Sequence, residues 1–97
     1  MNILPIQRYT VCGNSMLPTL KSGQEILCFN WAYLFYKPQK GDIVAFKFNG
    51  REMIKRIQKY DDRHIFVTGD NKRESTDSRK FGMIDRSAII GKVIFFR

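Results

Sequence analysis

The sequence predicts a mainly β fold with little helix. Three observations carry that expectation. Gly and Pro punctuate the 97 residues at Gly13, Pro18, Gly23, Pro38, Gly41, Gly50, Gly69, Gly82 and Gly91, leaving short segments between turn signals. Those segments are rich in Ile, Val and Phe, which suit a pleated, half-buried surface. The chain is 43% hydrophobic, with eight Phe, four Tyr and one Trp, enough for one modest core in a single domain spanning residues 1–97.

Four segments read directly as strands: Gln24 to Phe29, Asp42 to Phe48, His64 to Thr68 and Ala88 to Phe96. The dipeptide Asn49-Gly50 marks a tight hairpin after the second of them. The segment that follows, Arg51 to Tyr60, fits two patterns. Met53, Ile54, Ile57 and Tyr60 have helical spacing. A strand instead sets Met53, Lys55 and Ile57 on one face, with Ile54, Arg56 and Gln58 on the other. The Asn-Gly turn favours the strand. Lys72 to Lys80 is polar and charged and reads as a solvated loop, held in shape by side-chain-to-backbone hydrogen bonds from its Asp, Asn and Ser residues.

Composition excludes several classes. The longest apolar run, Trp31 to Tyr36, is six residues, where a membrane-spanning helix needs about 20. Residues 1–11 lack the pattern of a secretory signal. Cys12 and Cys28 are the two cysteines, expected as free thiols in a reducing cytosol, so the location expected is cytoplasmic. With His64 the single histidine, no metal site is expected. Seventeen Lys and Arg against nine Asp and Glu give a net charge of +8, which draws anions, nucleic acid and anionic lipid among them. The stretch Phe29 to Tyr36 invites two readings. Its aromatics, with Lys37 and Lys40 beside them, suit peripheral contact with an anionic membrane; equally, they could complete the core or line a substrate groove.

Chemistry points to the turn Gly13-Asn14-Ser15-Met16-Leu17-Pro18-Thr19. Pro18 fixes its own φ and biases Leu17 toward extended geometry, so Ser15 sits on a stiff turn where backbone N–H groups can converge on a reacting oxygen. A serine in such a turn is informative only if a base can reach it. His64 follows Asp61, Asp62 and Arg63 and reads as a surface residue. Lys55, between Met53 and Ile57 on its strand face, is the better base, because burial disfavours its charged form and a neutral amine can accept a serine proton. The plainer alternative is a lysine snorkelling from a sheet edge.

Four boxes, in order, resemble the type I signal peptidase family. Gly13 to Leu20 is similar to its nucleophile box, and Lys40 to Phe46 to its next strand. Ile54-Lys55-Arg56-Ile57 resembles the segment that supplies its lysine. Gly69-Asp70-Asn71 followed by Ser75-Thr76-Asp77-Ser78-Arg79 resembles its last box, which self-cleaving repressors of the LexA type lack. The resemblance spans Val11 to Gly91. It implies a coiled, antiparallel β domain of the signal peptidase/LexA-like type. It implies Ser15 as nucleophile, Lys55 as base, Ser75 orienting the lysine amine, and an Asp77–Arg79 ion pair shaping the site. Gly13 and Asn14 would support the oxyanion, and Gly69, Asp70, Asn71, Ser78 and Arg56 would frame the loops.

The activity so implied is a serine endopeptidase, without cofactor, that removes an N-terminal leader or propeptide from a precursor protein. Bacterial members commonly carry a hydroxyl at the position of Gly13 and other branches carry glycine, so the oxyanion hole here would rest on backbone N–H groups, chiefly that of Ser15. Typical members also carry a membrane anchor, whereas Ser15 lies fourteen residues from Met1. In this the chain resembles the short maturation peptidases of nickel-containing superoxide dismutase. The competing class is a basic, barrel-like module binding single-stranded nucleic acid, with Phe46-Lys47-Phe48 and Lys92 to Arg97 interleaving charge and aromatics. That class gives no reason for Ser15, Lys55 and the last box to occur together, so nucleic acid is the weaker expectation.

Overall fold

The computed structural model describes residues 5–96; residues 1–4, part of the stretch searched for a secretory signal, and residue 97 lie outside the described residues. The described residues form one antiparallel sheet of β1 (Ile6–Thr10), β2 (Glu25–Phe29), β3 (Ile43–Phe48), β4 (Arg51–Tyr60), β5 (His64–Thr68), β6 (Ile84–Asp85) and β7 (Ile89–Phe96). The strand order is β1-β2-β7-β3-β4-β5-β6. The mainly β expectation holds, and the ambiguous Arg51–Tyr60 segment is a strand. Asn49 and Gly50 close the β3–β4 hairpin with φ of 50° and 78°, the left-handed pair that a two-residue turn of this twist requires.

The central strand explains why the sheet has two cores. Every residue of β3 from Ile43 to Phe46 is buried. Ile43 and Ala45 join Val11, Met16, Leu20, Ile26 and Cys28 in one cluster. Val44 and Phe46 point the other way, into a cluster with Ile57, Ile65, Val67 and Ile84. Burying a side chain the size of Phe46 contributes about 1.5–3 kcal/mol, so alternate residues of one strand hold down both layers. Met16 and Leu20 fasten the serine-bearing turn to the first layer.

Two short helices interrupt the strands. The polar 72–80 stretch is more than a loop: Lys72–Glu74 is a single 3-10 turn, and α2 (Ser78–Phe81) follows it. Asp77 caps α2 by accepting from the Arg79 N–H, and Phe81 stacks on Phe48 with ring centroids 4.2 Å apart. The other helix, α1 (Ala32–Phe35), falls in the aromatic stretch. Ala32 is buried and the Tyr33 hydroxyl donates to Asp42 at 2.7 Å, whereas Leu34, Phe35 and Tyr36 are 72%, 69% and 68% exposed. These three side chains therefore neither complete the core nor line the cleft around Ser15.

Candidate active site

The site forms where β4 and β5 part. At Arg56 β4 pairs with Ile43 of β3 on one side and Thr68 of β5 on the other, and from there to Tyr60 its partner is β5. Arg51 to Lys55 pair with β3 alone among the described residues. The chain leaving β5 turns away at Gly69, and the Ser15 turn fills the gap. Gly69 has to be glycine: a Cβ there would collide with the Ser75 side chain and the Ser15 carbonyl oxygen. The result is a cleft of about 690 Å³ with Ser15 and Lys55 in its wall.

Lys55 Nζ lies 2.8 Å from Ser15 Oγ, although the two residues are 40 positions apart. Lys55 is only 5% exposed. Burial lowers its pKa from the ordinary lysine value, and the negative charge of Asp77 opposes that shift without cancelling it. The Ser15 turn is closed by the Leu17 N–H donating to the Asn14 carbonyl at 3.2 Å, and the Leu17–Pro18 bond is cis. Among the described residues the Ser15 N–H makes no hydrogen bond to another protein group. Gly13, at φ 87°, is exposed and donates its N–H to Ser22 Oγ at 3.2 Å.

Behind the pair lies a carboxylate with no exposed surface. Asp77 is 0% exposed and accepts from the Gly69 N–H at 2.8 Å, the Ser75 hydroxyl at 2.7 Å and Arg79 Nε at 2.9 Å. Burial alone would raise its pKa, but the hydrogen bonds from Arg79, Gly69 and Ser75 outweigh burial and hold it well below the carboxylate range. Ser78, also buried, accepts from the Val67 N–H at 2.9 Å and fixes α2 against β5.

A second network ties the Ser15 turn to β4. Arg56 forks onto Asp70 through two bonds of 2.8 Å and donates to the Gly41 carbonyl. Asp70 also accepts from the Thr19 hydroxyl at 2.5 Å. Hydrogen bonding from Arg56 is the main cause of the lowered Asp70 pKa. Asn71 clamps the nucleophile turn from the other side, its N–H donating to the Ser15 carbonyl at 2.8 Å and its side chain to the Asn14 carbonyl at 3.1 Å.

The residues singled out in the sequence therefore converge, with one difference. Among the described residues Ser75 makes no hydrogen bond to Lys55; its hydroxyl donates to Asp77 at 2.7 Å instead. Two participants escaped the sequence reading. Thr19 lies inside the nucleophile box, but its partner Asp70 is 51 positions away, so only the fold brings the two together. Glu74 sits in the cleft wall, in a stretch read only as solvated loop. Cys12 is exposed at the cleft, while Cys28 is a buried thiol whose pKa burial pushes up to about 12; both are free.

With this geometry in view, comparison with known proteins gives a consistent answer. Residues 8–94 match the Peptidase S24-like family. The chain belongs to that family. A mitochondrial inner membrane protease subunit 1 from Xenopus tropicalis is 27% identical, over 91% of this chain and 67% of the relative. A probable signal peptidase I-1 from Synechocystis is 26% identical over 86% and 66%, and a signal peptidase I from Bacillus caldolyticus 25% identical over 98% and 81%. The chain thus spans about two thirds of the length of the first two. This S24-like chain is a signal-peptidase-like peptidase, and its antiparallel β architecture is that of the signal peptidase/LexA-like type.

Proposed function

We propose that the chain is a serine endopeptidase whose Ser15–Lys55 dyad removes an N-terminal leader or propeptide through an acyl-enzyme. The observation that carries the reading is the 2.8 Å approach of a buried lysine amine to a serine oxygen. With Lys55 neutral, the Ser15 hydroxyl gives its proton to Nζ as Oγ attacks the scissile carbonyl carbon. The resulting oxyanion is met by backbone N–H groups, the uncommitted Ser15 N–H first among them. Protonated Lys55 then donates to the leaving amine as the C–N bond breaks, and the neutral amine so restored activates water to hydrolyse the ester. The open edge of β4 from Arg51 to Lys55 supports binding of an extended peptide, whose backbone can pair there as an added strand.

The Asp77–Arg79 pair and the Asp70–Arg56–Thr19 network act as positioning residues in this scheme, holding Lys55 and the Ser15 turn at a fixed distance. A narrower form of the proposal is a dedicated maturation peptidase that trims the propeptide of one precursor. Among the described residues no helix is long and apolar enough to cross a membrane. Exposed Leu34, Phe35 and Tyr36 beside Lys37 and Lys40 support peripheral contact with an anionic lipid surface.

The test is mass spectrometry of candidate precursors incubated with wild type, Ser15→Ala and Lys55→Ala. Wild type should release one N-terminal fragment, and each variant should lose at least ~1000-fold in rate. Undiminished cleavage by both variants would refute the dyad.

A further inference from the structure

We propose that Glu74 and Glu52 make this cleft select leaders with a Lys or Arg side chain close to the scissile bond. The inference rests on the proposed peptidase reading and names the substrate chemistry for that same site. Four charged residues line the cleft: Arg51, Glu52, Lys55 and Glu74. Lys55 is buried and turned to Ser15, so the solvated charges are two carboxylates and one guanidinium. In a chain of net charge +8, the substrate cleft is thus a locally acidic place. Neither glutamate is in an ion pair among the described residues.

The position of Glu74 is fixed by the nucleophile turn itself. Its Oε2 accepts from Asn71 Nδ2 at 2.8 Å, and the same Nδ2 donates to the Asn14 carbonyl, while the Asn71 backbone N–H holds the Ser15 carbonyl. The carboxylate is therefore held one side chain away from the nucleophile. Its neighbour Lys72 faces a different basin, lined by Thr19, Lys40, Arg56 and Asp70, and its charge acts on Asp70. The 3-10 turn Lys72–Glu74 thus sorts its charges, sending the anion into the cleft and a cation to the far side. Glu52 stands on β4, and its charge contributes, after burial, to raising the pKa of Tyr9, another cleft residue, to about 12. A basic side chain on a peptide laid along the open edge of β4 would meet both.

The experiment profiles cleavage of a diverse peptide library by wild type, Glu74→Gln and Glu74→Lys. Glutamine keeps an acceptor for Asn71 and removes only the charge. Wild type should enrich Lys and Arg within about three residues of the cut. A matched Lys peptide should beat its Glu counterpart by about fivefold or more in kcat/KM, the scale of one or two solvated ion pairs. Glu74→Gln should lose most of that preference, the loss appearing mainly as a raised KM for the Lys peptide. Glu74→Lys should shift the preference toward Asp and Glu. Ser15-dependent cleavage with the same basic preference in all three proteins, or with none in wild type, would overturn the proposal while leaving the peptidase reading intact. Absence of Ser15-dependent cleavage would refute that reading instead. Fluorescence anisotropy with the Lys and Glu peptides on Ser15→Ala then still decides the charge selection: equal affinity for both would overturn it.

Discussion

At the scale of single residues, the cost of Lys55 is the most informative quantity. A buried ammonium is penalised, and burial lowers the pKa of Lys55 while Asp77 only partly offsets the shift. A group whose folded pKa lies below its unfolded value makes the folded state bind protons more weakly. The folded state is therefore penalised at low pH, and the penalty fades as pH rises from the folded pKa toward the unfolded value. Activity follows the same titration, since the proposed base is the neutral amine. The kcat/KM of wild type should rise with pH and level off with an inflection below the ordinary lysine value. Lys55→Met should be inactive yet more stable than wild type near neutral pH, by about 1 kcal/mol or more. That stability difference should shrink as pH is raised through the folded pKa. Urea titrations at several pH values check it; equal midpoints for the two proteins at every pH would show that the lysine bears no burial penalty.

At the scale of elements, the site depends on the parting of β4 from β5 and on what fills the gap. Gly69 is the pivot of that arrangement, because Ser15 and Ser75 both occupy the space a Cβ there would need. Gly69→Ala should leave the far-ultraviolet circular dichroism unchanged and lower kcat/KM by about 100-fold, since displacement of the nucleophile turn by a fraction of an ångström spoils the Ser15–Lys55 alignment. Activity within a few-fold of wild type would mean that the turn adapts freely. The same elements show why part of the structure was legible in the sequence. Strands β2, β3 and β5 are dense in apolar residues because they face buried layers, as do Ile89, Ile90 and Val93 of β7. By contrast β1 reads IQRYT and alternates between exposed and half-buried positions, and β6 is two residues long. Neither carries enough apolar signal to stand out. Helix α2 reads SRKF, and its cap Asp77 also serves the site, so a polar string concealed a helix. Ser15 and Lys55 were legible through ordered boxes. The partner of the Ser75 hydroxyl was not, because only the folded chain fixes which side chain it meets.

At the scale of the whole molecule, charge and apolar surface are separated in a way that composition cannot show. The cleft holds two glutamates against Arg51 and the buried Lys55 within a chain of net charge +8, so the cationic excess lies elsewhere on the surface. Helix α1 is pinned to the sheet from beneath by Ala32 and by the Tyr33–Asp42 hydrogen bond, with Asp42 in turn 3.6 Å from Lys92. That anchoring holds Leu34, Phe35 and Tyr36 outward as a rigid apolar projection, next to Lys37 and Lys40. Such a projection suits insertion among head groups, and the lysines add attraction that falls with salt. Sedimentation with vesicles of phosphatidylglycerol and phosphatidylcholine should pellet the protein, and pure phosphatidylcholine should pellet far less. Binding should weaken several-fold in 0.5 M salt and again in Leu34→Ser/Phe35→Ser. Since neither residue lines the cleft, that double variant should cleave a soluble peptide at the wild-type rate. Equal sedimentation of wild type and the double variant with anionic vesicles would remove α1 as a membrane contact, because charge alone would then account for the binding.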